Sequence, residues 1–251
     1  FGWESLLRQS DAAPHVVGGG RGSALVAAGA VIVLLGVMTV VRNPVWKTSQ
    51  TVVDSVIRDH PESYRAQYNA GVMALTAGDT ARAVYHWELA NRMYDRDANL
   101  LTSIGSFYLA THDYQRALQL LRPAFELHDD LFLNVIGLAV AELGVGNPEE
   151  SLRISRHGLR TFGARPVFFD LRARAQLALD RPGDAAASWR ASIRLGADGW
   201  IHWAQLARAL SEIDSTAAAH AALDTAIARA TAAGDSVTAA GLRRARQGLD
   251  R

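Results

Sequence analysis

The chain has 251 residues, and its 26 basic side chains are matched by 25 acidic ones, so no global charge calls for a nucleic-acid partner. Cysteine is absent, which excludes disulfides, thioether-attached haem, thiolate-held iron–sulfur clusters and thiolate zinc sites. The length leaves room for one sizeable domain or two small ones.

The chain begins at Phe1 and not at Met, so its numbering follows processing or starts inside a longer gene product. Residues 1–22 divide into an apolar-tipped piece, FGWESLLRQ, and a glycine-rich one, DAAPHVVGGGRG. Phe1, Trp3, Leu6 and Leu7 suit either a short interfacial helix or the end of a loop from upstream membrane segments. GGGRG (18–22) reads as a hinge rather than an anion cradle, because no strand-to-helix turn surrounds it.

A transmembrane helix is expected over 23–42. Ala24 to Val41 carries no charge and has Thr39 as its one polar side chain. A bilayer core of about 30 Å needs about 20 such residues in a helix. Arg21 fences one end, Arg42 and Lys47 the other, and Trp46 stands where an aromatic belt falls. A signal-peptide core is shorter and ends in a small-residue cleavage site, whereas this run ends in Val-Val-Arg-Asn-Pro. Gly22, Gly29 and Gly36 lie seven apart, near one helical face, where small residues permit close packing in lipid. The alternative is that glycine is simply common in membrane helices. No histidine within the span offers an axial ligand to haem or chlorophyll.

Asn43-Pro44 makes a corner, and Val45–His60 reads as an unpaired helix stopped by Pro61. Beyond it a period of 34 emerges. Gly71, Ala83, Trp87 and Ala90 recur as Gly105, Ala117, Leu121 and Ala124, then Ala139, Ser151, Ser155 and Gly158. The register continues through Ala173, Ala185, Trp189 and Ser192 to Ala207, Ala219, Leu223 and Ala226. The segments AGDT (77–80), THDY (111–114), VGNP (145–148) and LDRP (179–182) fall at one phase and carry the residues that stop one helix and cap the next. Each unit is therefore helix, turn, helix, with small residues at the crossing. Two departures stand out. Ser155 replaces a bulky residue, and Arg172 interrupts an apolar position.

This pattern resembles the tetratricopeptide repeat, whose signature has a Gly or Ala early in the first helix and alanines on the second. The expected fold is all-α, with one transmembrane helix, a connecting helix over 43–63, an α-solenoid of five tetratricopeptide units over 64–233 and a capping helix over 234–251. The units are 64–97, 98–131, 132–165, 166–199 and 200–233. Arg243, Arg244, Arg246 and Gln247 give the last helix the polar face that a terminal helix needs.

No catalytic, cofactor or metal site is expected. The histidines His86, His112, His128 and His157 form no i, i+4 ligand pair. Asp129-Asp130 after His128 falls at a repeat boundary, where polar turns belong. No Ser and His are ordered as nucleophile and base. The expected working surface is a groove lined by the first helix of each unit, a face that in this family is the usual binding surface. On this register Tyr68, Val72, Thr102, Ser106, Ile136, Val140, Asp170, Arg174, Ala204 and Arg208 point into it. The middle is apolar and the C-terminal part charged, which suits an extended segment or a helix of a partner. The alternative is that several of these residues pack against one another. Tyr68 and Val72 stand where some relatives place carboxylate-gripping Lys and Asn, so a chaperone-type clamp is not expected there.

The junction RNPVWKTSQTVVDSVIRDHPESYRAQYNAG (42–71) is similar to the last-span-to-repeat junction of multi-span glycosyltransferases resembling protein O-mannosyltransferases. The shared feature is the Asn-Pro-Val-Trp-Lys run after an apolar helix. The resemblance implies repeats on the periplasmic or luminal side of an inner (cytoplasmic) membrane. The charge rule does not decide this, since Arg8 and Arg21 are matched by Arg42 and Lys47. That family's catalytic acids sit in loops between earlier spans, so none carries over to this chain.

Two functions are expected in competition. One is a non-enzymatic, single-span scaffold subunit that binds the bilayer and neighbouring subunits of a membrane complex. Such a complex can be energy-transducing, including a photosynthetic reaction centre with its antenna, or a secretion or envelope-assembly machine. The other is the C-terminal tail of a multi-span glycosyltransferase. The apolar span argues against a third, a soluble chaperone-like adaptor.

Overall fold

A computed structural model describes residues 20–249, and side chains from residue 25 onward. The expectations for Phe1, Trp3, Leu6 and Leu7 therefore lie outside the described residues. The side chain position at Gly22 does too, although its backbone is helical. Among the described residues there are thirteen α-helices and no strand. The chain divides into two compact units, Phe1–His86 and Trp87–Arg251, with the division inside one helix.

In the first unit, α1 spans Gly20–Arg42 and is followed by a 3-10 turn over Asn43–Trp46. Gly20, Arg21 and Gly22 open the helix, so the three C-terminal residues of the GGGRG run are helical and not a hinge. The stretch Leu25–Trp46 is long and apolar enough to cross a membrane, and none of it is buried. The polar side chain within its apolar run is satisfied internally, because Thr39 Oγ1 donates to the Leu35 carbonyl at 2.8 Å. Helix α2 runs Ser49–Asp59. Its start is four residues later than Val45, because Thr48 and Thr51 form a reciprocal capping box that fixes the first turn. Helix α3 covers Tyr64–Thr76 with Ser63 as cap, and packs on α2.

Within this unit Gln67 is buried and bridges two elements. Its Nε2 donates to the Pro61 carbonyl at 3.1 Å, and its Oε1 lies 2.8 Å from His86 Nδ1. An amide oxygen only accepts, so the imidazole proton sits on Nδ1. Burial holds the His86 pKa below its ordinary value, helped by Arg82 and opposed by Asp54.

Helix α4 (Thr80–Met93) crosses the division. The second unit continues with α5 (Ala98–Ala110), α6 (Tyr114–Leu127), α7 (Phe132–Gly144), α8 (Pro148–Phe162), α9 (Pro166–Ala178), α10 (Pro182–Arg194), α11 (Trp200–Ser211), α12 (Thr216–Ala232) and α13 (Ser236–Gly248). Each of α5 to α12 packs against the next in order, and α7 also touches α5 and α9. This is the helix-pair stacking of a solenoid.

All twenty positions of the 34-residue register are buried. The reason for small residues is explicit at Gly105, where an added Cβ would stand 2.6 Å from the Leu121 side chain. At Gly158 the same atom would fall 2.3 Å from the Phe168 ring. Phe168 comes from the next unit and is fully buried, in edge and stacked contact with Phe132 and Phe162. The third unit thus packs through a borrowed ring. Ser155 is buried with its Oγ donating to the Leu152 carbonyl at 3.0 Å.

The turns repeat as strictly as the helices. Gly78, His112, Gly146, Asp180 and Asp214 are 34 apart, and all have positive φ, between 54° and 84°. The following N–H reaches back five residues in every case: Asp79 to Ala74, Asp113 to Tyr108, Asn147 to Glu142, Arg181 to Gln176, Ser215 to Leu210. This closure satisfies a carbonyl that the helix end would otherwise leave open. The next helix starts at once, through an Asp cap at Asp79 and Asp113 or a first-turn proline at Pro148 and Pro182.

Replacing Gly105 with Leu will overpack the α5–α6 crossing and destabilise the second unit by about 1–3 kcal/mol. Thermal unfolding followed by circular dichroism checks this, and an unshifted transition would contradict the register. The first unit will lose stability on acidification. The folded His86 resists a proton that the unfolded chain accepts, so stability falls as pH drops through about 6.5 toward the lower folded value. Protection of the α3 amides, taken relative to their intrinsic exchange rates at each pH, should be lower at pH 5.5 than at pH 7.5, and His86→Gln should remove that difference.

Candidate partner-binding groove

The first helices of the units in the second body are α5, α7, α9 and α11, and residues at i, i+3 and i+7 on each share one face. On α7 this face carries Leu133, Ile136 and Val140. Leu133 is 67% exposed, and the other two are half-buried. On α9 it carries Val167, Asp170 and Arg174, and on α11 Ile201, Ala204 and Arg208. Ile201, Arg174 and Arg208 are exposed, and Val167, Asp170 and Ala204 half-buried.

The expected residues do not all reach the surface. Thr102 on α5 is buried, with Oγ1 donating to the Ala98 carbonyl at 2.6 Å. It belongs to the wall behind the face and offers a partner nothing. Ser106 is exposed but donates to the Thr102 carbonyl at 2.7 Å. In the first unit Tyr68 is half-buried and Val72 exposed. A Cβ added at Gly29 or Gly36 on α1 would meet nothing within 4 Å, so none of the described residues packs on them.

Arg174 and Arg208 are brought together. Both line a cleft of about 350 Å³ between α9 and α11, with Leu177, Ala178, Ile201 and Gln205 as the other walls and Trp189 beneath. Each guanidinium is steadied by an acid of its own helix. Arg174 Nε lies 2.8 Å from Asp170 Oδ2, and Arg208 Nε 3.1 Å from Glu212 Oε1. Asp170 is itself held by Trp189 Nε1 at 3.2 Å, and its side chain is 13% exposed. It therefore positions Arg174 and is not free to meet a partner.

Two buried polar clusters lie away from this face, and sequence reasoning missed the first. Glu142 on α7 is fully buried, its carboxylate receiving Arg122 Nε and Nη2 at 2.8 and 3.0 Å and Asn147 Nδ2 at 3.0 Å. Three donors, two of them from one guanidinium, hold the carboxylate as a structural ion pair. The signal was available as an acid at a position that is Ala74, Tyr108 and Leu210 in other units. The second cluster explains Arg172, whose Nε donates to Ser188 Oγ at 2.9 Å, with the Gln176 amide 2.6 Å from that hydroxyl. Its guanidinium also lies 5.2 Å from the Phe169 ring centroid. Burial and the nearby Arg156 lower its pKa.

Among the described residues no three His, Asp or Glu side chains gather as a metal site. His157 Nε2 instead contacts the Asp129 carbonyl at 2.8 Å, tying α8 to the boundary between the second and third units.

The fold and this face define an α-solenoid of the tetratricopeptide type. No family model matches the chain, and no curated protein matches it in sequence. Solved structures do resemble it. YrrB, described as a TPR protein with an unusual peptide-binding site, superposes with a TM-score of 0.64 at 12% identity, covering 76% of this chain and 97% of its own. A MamA RS-1 double mutant gives 0.62 at 16%, covering 69% and 97%. PilF of Pseudomonas aeruginosa gives 0.58 at 17%, covering 76% and 86%. At such identities the likeness is one of fold.

The Glu142 pair makes a stability test. Arg122→Leu alone should cost about 3 kcal/mol by stranding a buried carboxylate, and adding Glu142→Leu should recover most of it. Urea unfolding of both variants measures this.

Proposed function

We propose that this chain is a membrane-anchored, non-enzymatic scaffold whose repeat units bind neighbouring proteins of a membrane complex. The observation that carries the reading is the solvent-facing surface of α7, α9 and α11, apolar at Leu133, Ile136 and Val140 and cationic at Arg174 and Arg208. A solenoid stacks its units through small residues and leaves such a face open for binding. The apolar stretch Leu25–Trp46, none of it buried, supports an anchor, and its partners would be the bilayer and adjacent subunits. The capped 3-10 corner after Arg42 leaves no long flexible tether between α1 and α2. The junction resemblance favours repeats on the periplasmic side. An energy-transducing assembly such as a reaction centre with its antenna is one setting in which a fixed, cofactor-free clamp of this kind would serve.

The second reading is the tail of an O-mannosyltransferase-like enzyme, and it rests on the Asn43–Lys47 junction.

Extraction from the native membrane in mild detergent separates the two. A stoichiometric set of other membrane subunits is expected to co-purify. Ile136→Asp with Val140→Asp should release them while helix content stays intact. A lone polypeptide would overturn the scaffold, and one heavier than 27.1 kDa would favour the enzyme tail.

A further inference from the structure

On three consecutive first helices, the second residue of the unit is a branched aliphatic: Leu133, Val167 and Ile201. Seven residues further along each helix, about 10 Å, stands Val140, then Arg174, then Arg208. The face therefore carries two parallel rows. One is apolar throughout, and the other turns from apolar to cationic between α7 and α9.

The arginines are poised rather than spent. Each guanidinium pairs with its acid through Nε, Arg174 with Asp170 and Arg208 with Glu212, and the side chains remain 50% and 64% exposed. Both arginines line the 350 Å³ cleft, beside Leu177, Ile201 and the Gln205 amide. Asp170 and Glu212 offset the charge of the pair locally, so an anionic partner gains less from bulk attraction than from hydrogen bonds. The terminal guanidinium donors can supply those bonds to a carboxylate in a partly apolar cleft. Glutamine adds a donor and acceptor for a passing backbone.

We propose that this face takes a segment of a second protein that is aliphatic where it crosses α7 and carries acidic side chains where it crosses α9 and α11, with Arg174 and Arg208 as the specificity-determining contacts. The assignment rests on the scaffold reading and names the chemistry of its partner. The acids are side chains within the segment rather than its free C-terminus, because the aliphatic row runs on past Arg174 to Ile201 and keeps the chain crossing both helices.

The test uses the full chain in nanodiscs and fluorescein-labelled peptides of about twelve residues. The first peptide has a Leu- and Ile-rich half followed by two glutamates, with an amidated C-terminus. The second replaces both glutamates with glutamine. Fluorescence anisotropy should show the acidic peptide binding at least about fivefold to tenfold more tightly. Arg174→Gln and Arg208→Gln should each remove most of that preference, while Arg174→Lys should retain part of it. The glutamine peptide should be indifferent to all three changes. Unchanged circular dichroism in the variants excludes misfolding as the cause.

Equal binding of the two peptides would overturn the assignment, as would a preference that survives Arg174→Gln with Arg208→Gln. A preference that appears only with a free C-terminal carboxylate would also overturn it. Loss of the native subunits from the wild-type chain would instead sink the scaffold reading. Their retention by the double glutamine variant would remove this site and leave that reading standing.

Discussion

The close crossing of paired helices is the constraint from which the rest follows. Two helices can approach closely only where one of them presents almost no side chain. Gly105 against Leu121 is the plain case, since even a methyl group would fall inside the leucine. Once the crossing is set by a small residue in the first helix and another in the second, the length of each helix and of the turn between them is set as well. The period cannot drift, because one inserted residue would rotate a bulky side chain into the crossing. That is why the register holds at 34 from Gly71 to Ala226.

The turns show how far geometry outranks residue type. The position that must adopt positive φ is glycine twice, aspartate twice and histidine once. A non-glycine residue there carries a cost of about 1–2 kcal/mol, and the chain accepts it at His112, Asp180 and Asp214 because the backbone closure that follows is the same in every unit. The polar composition of these turns was readable beforehand. Their common left-handed residue was not, since three different residue types occupy that position.

What was legible in the sequence follows from what repeats. Small residues at a fixed spacing reveal the helix pairs, and the apolar run of α1 reveals itself by length. The exact ends were less accessible. Thr48 and Thr51 cap α2 through side-chain geometry that spacing alone does not disclose, and the glycines at 20 and 22 were absorbed into a helix whose continuation outweighs their poor propensity. The groove was half legible. The register placed Ile136, Val140, Arg174 and Arg208 on one face, but Thr102 shares their phase and is buried. The aliphatic row of Leu133, Val167 and Ile201 went unnoticed because a single exposed apolar residue carries no signal, and its meaning lies only in recurrence across three units.

The third and fourth units depart from the others both inside and outside. Their cores admit Asn134, Glu142 and Gln176 where other units place mostly apolar residues. Each is satisfied: Asn134, oriented to suit its neighbours, gives Nδ2 to the Leu121 carbonyl and takes the Phe125 N–H, close to Pro123 in α6. Buried polar groups of this kind add little net stability but tolerate only one alignment of the helices that share them. The same units are those in which the outer row changes from Val140 to Arg174, with Trp189 beneath holding Asp170 in place. A surface that discriminates by charge needs its cations at fixed separation, and fixed separation needs helices that cannot slide. Arg172 and Gln176 on α9, bonded to Ser188 on α10, constrain the helix that carries Arg174, whereas units that only extend the stack can remain packed by alanine and leucine.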